Sequence, residues 1–211
     1  MDDLEGSEDL YIRSFGSRSA SDGLADNLPE LLETMDAFGF DEVILETVGV
    51  GQVEQAARAQ VDTLILVLPP DAGDAVQAMK AGIMEIADIY AVNKADMPSA
   101  IKMAMEVKRI VALTHRGAEG WVPPVLLTSK SDADSIAKLS EQVDRHFEWL
   151  IASDRYGSRA LERKQYRLRR LIERRIEDLL RRVPPEFFDQ PADRQVAGLL
   201  LKLGEAGGPD A

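Results

Sequence analysis

Ile89-Tyr90-Ala91-Val92-Asn93-Lys94-Ala95-Asp96 joins four apolar residues to a polar turn. A run that is apolar at successive positions has no face for water, so it fits a strand covered on both sides, as in a parallel sheet. A turn leaving such a strand at its C-terminal end stands where open parallel sheets hold their ligands. The same pattern recurs on either side. Thr63-Leu64-Ile65-Leu66-Val67-Leu68 precedes it, and Val125-Leu126-Leu127-Thr128 follows it behind Pro123-Pro124. Helical spacing fills the gaps, from about Ala75 to Ala87 and from Pro98, which suits a first helical turn, to about His115. Further upstream, Glu42 to Thr47 reads as a strand running into Val48-Gly49-Val50-Gly51. Before it, a helix from about Asp26 to Phe38 carries Leu28, Leu31, Leu32 and Met35 and stops at Gly39. Leu10 to Phe15 reads as one more short strand. This alternation predicts an α/β domain with a mostly parallel sheet and flanking helices.

After Ser131 the pattern becomes purely helical. Ile136, Leu139, Val143, Phe147 and Leu150 form one stripe. Leu168, Ile172, Ile176, Leu179 and Val183 form a second on a long helix that Pro184-Pro185 ends. The expected division is a nucleotide-type domain over 1–152 and a helical extension over 153–211, the latter with one short apolar stretch from Val196 to Leu203.

The net charge of −12 argues against a nucleic-acid binder. It is unevenly spread: Arg155 to Arg182 holds eleven Lys/Arg against four Asp/Glu, a local +7 against −19 elsewhere. With no cysteine and two histidines, thiolate chemistry is excluded, and a zinc site or Ser-His-Asp triad is disfavoured. His115 and His146 are expected on exposed helix surface. No apolar run is long enough for a membrane span. The acidic start lacks a basic-then-apolar leader, so a cytoplasmic protein is expected.

Three turns after predicted strands carry the chemistry. In Asn93-Lys94-Ala95-Asp96, the carboxylate of Asp96 suits the ring N–H and exocyclic amine of guanine, an arrangement adenine lacks. Asn93 suits the other purine edge, and the Lys94 stem a face of the base. In Glu46-Thr47-Val48-Gly49, an acid can hold a magnesium-bound water, and a glycine lets its N–H approach a phosphate. Gln52 follows in a segment suited to switching. In Thr128-Ser129-Lys130, a backbone N–H and Ser129 suit the guanine carbonyl, beside Lys130. Each turn alone has a plain alternative as a solvated loop or helix cap; their order on successive strands favours one site.

From about Tyr11 to Leu180 these residues resemble the methylmalonyl-CoA mutase-associated GTPases (MeaB/ArgK-like), also known as lysine/arginine/ornithine transport ATPase-like proteins. The resemblance is sharpest at Glu46-Thr47-Val48-Gly49-Val50-Gly51-Gln52, at Ala72-Gly73-Asp74 through Gln77, Lys80 and Gly82, and at Ala91 to Asp96. It implies a P-loop NTPase-like fold, GTP or GDP with Mg²⁺ as ligands, and GTP hydrolysis coupled to a cobalamin-dependent mutase. It implies Glu46 at the magnesium-linked position, Gly49 at the γ-phosphate and Asn93, Lys94 and Asp96 at the base. It also implies a homodimer through the C-terminal helices.

The 211 residues depart from the family in one large respect. They contain no Gly-x-x-x-x-Gly-Lys-Ser/Thr, the loop whose amides and lysine hold the phosphates. Ser21-Asp22-Gly23 stands where the family has Leu-Gly-Gly, and Val53 where it has a small polar residue. The expectation is an incomplete or truncated GTPase, with catalytic competence open. The alternative is a non-catalytic domain that binds a partner.

Overall fold

The computed structural model describes residues 10–16, 24–25, 27–47, 56–71, 86–114 and 120–205. Two compact units emerge, Met1–Arg159 and Ala160–Ala211.

The first unit is built on three parallel strands, β1 (Ile65–Leu68), β2 (Ile89–Val92) and β3 (Val125–Leu127), in the order β1-β2-β3. Ile65 stands opposite Ile89, and Tyr90 opposite Val125. Helix α1 (Leu28–Phe38) precedes the sheet, and α2 (Ala100–Thr114) crosses from β2 to β3. Helix α3 (Ala133–Ala152) follows β3, and α4 (Arg155–Leu180) begins in this unit. The architecture is the expected α/β, P-loop NTPase-like fold with a parallel sheet and flanking helices.

All four residues of β2 are buried, as the central place of an unbroken apolar run requires. Tyr90 and Val92 pack with Ala100, Met103, Ala104 and Val107 of α2. Full burial of a Val- or Met-sized side chain contributes about 1.5–3 kcal/mol. Helix α1 begins with Pro29 in its first turn and ends at Gly39, whose φ of +101° and two amide bonds to Asp36 and Met35 carbonyls close the helix.

Three expectations need correction. Residues 10–16 and 41–47 carry no regular secondary structure and join no ladder among the described residues, and Ile44 is 92% exposed. Apolar alternation makes a strand only where a neighbouring strand supplies hydrogen bonds, and none among the described residues reaches them. β1 is not covered on both faces: it is an edge strand among the described residues, and Val67 is more than half exposed. In α3 the expected stripe holds at Leu150 and fails at two of its other members. Ser135, His146 and Leu150 are buried, while Ile136 and Phe147 are exposed. Phe147 instead meets Tyr156 edge to face at 5.6 Å. The helix expected over 75–87 lies almost wholly outside the described residues.

In the second unit, α4 continues to Leu180, and a 3-10 turn (Pro185–Asp189) leads to α5 (Ala192–Glu205). The turn is closed by Gln195 Nε2, which donates to the carbonyls of Phe188 and Gln190. A Cβ at Gly198 would meet the Phe187 ring at 3.4 Å, an ordinary van der Waals contact. Leu168 and Ile172 on α4 remain exposed. No helix among the described residues is long and apolar enough to cross a membrane.

Candidate functional site

The C-terminal ends of β2 and β3 bring two of the predicted turns together. Thr128 N–H donates to the Val92 carbonyl at 2.9 Å, and Ala95 N–H donates to the Thr128 carbonyl at 3.0 Å, extending the ladder past the strands. Asn93 N–H reaches back to the Leu68 carbonyl of β1 at 3.0 Å. Lys94 is forced to φ +56°, a left-handed conformation that costs a non-glycine residue about 1–3 kcal/mol and recurs at functional loops. That turn swings Asp96 toward Ser129, whose hydroxyl donates to Asp96 Oδ1 at 3.1 Å.

Ser129 is buried, whereas Lys94, Asp96 and Lys130 are exposed and Asn93 is half-buried. A fixed backbone therefore presents a carboxylate, an amide and two lysines to one rim. Thr128 Oγ1 lies 3.5 Å from Asn93 Oδ1, at the limit of a hydrogen bond. The neighbouring loop is tied in by Ser99, whose hydroxyl donates to Asp71 at 2.6 Å. Glu46 is described and exposed near the end of the segment 41–47; Gly49 and Gln52 lie outside the described residues.

The opposite rim holds a cluster that the sequence reading missed. Asp88, just before β2, accepts from Leu64 N–H at 2.8 Å and pairs with Arg58 at 3.1 Å and Arg159 at 2.9 Å. Arg159 also donates to the Asp62 carbonyl. His146 is fully buried, not the surface residue expected. Its Nε2 lies 3.3 Å from Asp88 Oδ1, close enough for a charge interaction though not aligned as a hydrogen bond, and its Nδ1 lies 2.8 Å from the Thr63 hydroxyl. Trp121 donates from Nε1 to the Asp88 carbonyl at 2.7 Å, and its ring meets His146 at 4.8 Å. Burial pushes the Asp88 pKa up, but His146, the two arginines and the Leu64 N–H outweigh it and hold the carboxyl well below its usual range. The one available signal was an acid set directly against the most apolar strand.

A family model described as methylmalonyl-CoA mutase-associated GTPase MeaB matches residues 1–184. The chain belongs to this family. It is 36% identical over 165 residues to the "Putative GTPase" of Pyrococcus abyssi, covering 77% of this chain and 51% of that one. It is 30% identical over 156 residues to the mouse "Methylmalonic aciduria type A homolog, mitochondrial", covering 72% of this chain and 38% of that one. Among solved structures, a LAO/AO transport system kinase superposes with a TM-score of 0.58 at 25% identity, over 86% of this chain and 57% of that one. The chain thus spans about half the length of the relatives it matches first.

The family implies a guanine nucleotide and magnesium, and the donors present fit them unequally. The Asp96–Ser129 pair and the Asn93 amide fit a purine edge. For magnesium, Glu46 is the one expected ligand described, and no group of three acidic or histidine side chains converges among the described residues. One carboxylate does not make a magnesium site, so no step is derived through that ion.

Proposed function

We propose that this MeaB-family chain is a GTPase-type domain that binds GTP and GDP through the base. Asp96 accepts from the guanine N–H groups, Asn93 meets the other purine edge, and the stems of Lys94 and Lys130 lie along the ring. Ser129 holds the Asp96 carboxylate, and a free amide of its loop faces the base carbonyl. Glu46, Gly49 and Gln52 are the proposed magnesium-linked, phosphate-sensing and switch positions. The observation that carries this reading is the Ser129–Asp96 hydrogen bond, which joins two loops from different strands at one rim. The proposed setting is the cytoplasm. The proposed partners are a cobalamin-dependent acyl-CoA mutase and a second copy of the chain, through an arm over 153–211.

The 211 residues hold no Gly-x-x-x-x-Gly-Lys-Ser/Thr. This favours a second reading, a degenerate GTPase domain that serves as a non-catalytic partner-binding module. The two readings separate by titration of residues 1–211 with GTP, GDP and ATP followed by NMR. Weak binding that prefers guanine is expected, because most of the ligand's charge lies on phosphates that this chain gives no glycine-rich cradle. Equal affinity for GTP and ATP would remove the base site. Submicromolar GTP affinity with magnesium-dependent turnover would reject the partner-module reading.

Replacing Asp96 with asparagine tests the base contact directly. The amide places a donor where a second acceptor is needed, and an unmatched buried donor costs about 1–3 kcal/mol. The preference for GDP over ADP is expected to shrink accordingly. An unchanged ratio in competitive titration would take Asp96 out of the site.

A further inference from the structure

We infer that Ser131 is a positioning residue for the guanine-reading carboxylate, acting through Ser129. The inference rests on the base site proposed above and adds a residue to it.

The direction of the hydrogen bonds carries the argument. Ser129 has one hydroxyl hydrogen, and it is given to Asp96 Oδ1. Ser131 Oγ lies 2.8 Å from Ser129 Oγ. With the Ser129 hydrogen already committed, Ser131 must be the donor in that pair. Ser131 N–H adds a longer contact to the same oxygen at 3.4 Å. The Ser129 oxygen therefore receives from Ser131 and gives to Asp96, a relay in which each bond polarises the next.

The rest of Ser129 is fixed separately. Its N–H donates to Ser135 Oγ at 3.0 Å, and Ser135 Oγ donates to the Asp132 carbonyl at 2.7 Å. Asp132 caps α3 by accepting from Ser135 N–H. Helix α3 thus sets the backbone of the loop, and the one freedom left to buried Ser129 is rotation of its hydroxyl arm. Ser131 restricts that rotation. A second acceptor position on Asp96 is what separates guanine from a purine lacking the exocyclic amine. Orientation of the carboxylate therefore bears on base discrimination more than on phosphate or sugar contacts.

The test compares the full chain with Ser131→Ala and Ser131→Thr, the latter keeping the hydroxyl. In ligand-free protein, three-bond couplings report the Ser129 χ1 rotamer. With GDP and IDP as probes, the affinity ratio reports the exocyclic-amine contact alone. Ser131→Ala is expected to average the Ser129 rotamer and to lower the GDP-over-IDP ratio roughly 3- to 10-fold, with IDP affinity held. Ser131→Thr is expected to restore both. A single Ser129 rotamer and an unchanged ratio in Ser131→Ala would overturn the inference, as would failure of threonine to restore them. If the unmodified chain binds neither nucleotide, the base-site reading falls, and the rotamer comparison alone decides the relay.

Discussion

Asp88→Ala is expected to destabilise the unit Met1–Arg159 by about 3–5 kcal/mol, the typical cost of removing one member of a buried ion cluster. The carboxylate is nearly enclosed, and two guanidinium groups and a fully buried imidazole face it. Truncation leaves those groups inside with no counter-charge. Asp88→Asn keeps the volume and removes the charge, so it separates packing from electrostatics and is expected to retain most of the loss. Urea unfolding followed by tryptophan fluorescence reads it well. The chain's two tryptophans, Trp121 and Trp149, both stack near His146. A loss under about 1 kcal/mol would place the cluster among exposed ion pairs. The pH dependence has a definite sign. Because the folded pKa lies below the ordinary value of 3.8, the contribution is complete above that value. It is lost only as the pH falls from there toward the lower folded value.

Ile172→Asp combined with Ile176→Asp is expected to convert a dimer of this chain into monomers. The arm proposed over 153–211 leaves Leu168 and Ile172 exposed on α4. The steps from Leu168 through Leu179 are those of one helical face, whereas Val183, expected on the same stripe, lies beyond the end of α4 and is buried. Two carboxylates in that seam would be buried without partners, at a cost that a helix-pair interface does not survive. The arginine stems around the stripe suit the margins of such a seam, and the −19 carried by the remainder of the chain offers acidic surface on a second copy to their charges. Sedimentation at tens of micromolar decides the matter. If the unmodified chain is monomeric there, the dimer proposal fails whatever the double variant does.

β2 and its turn were readable because four consecutive apolar residues admit one environment, and Asn93 to Asp96 follow without a gap. Helices α1 and α2 were readable from Gly39 and Pro98, whose backbone preferences act locally. The segment Glu42–Thr47 has its own apolar run, Val43 to Leu45, and yet joins no described ladder, because pairing depends on a neighbour that the segment does not encode. The stripe on α3 was readable at Leu150 but not at Ile136 and Phe147, which outrank Ser135 and His146 in hydrophobicity although the polar pair is inside. Ser135 earns burial by bonding the Ser129 backbone, and His146 by meeting Thr63 and Asp88. Those partners lie up to 83 residues away in sequence, out of reach of any periodicity. At the candidate site, Asn93, Lys94, Asp96, Ser129 and Lys130 were named from motif spacing. The hydroxyl relay through Ser131 was not, since only the folded loop sets its geometry.

The Asp88 cluster also constrains the order in which the molecule can be made. Its acid is separated from Arg159 by 71 residues, and the Asp62 carbonyl from the same arginine by 97. A chain leaving the ribosome at about 5–20 residues per second delivers the acid well before the cation, by roughly 4–14 s. Throughout that interval β2 is available, but its first flanking carboxylate lacks the arginine that accompanies its burial. Completing the sheet before Arg159 emerges would enclose a less compensated charge. The start of α4, which supplies Arg159, therefore serves as a finishing piece for a domain whose other elements precede it.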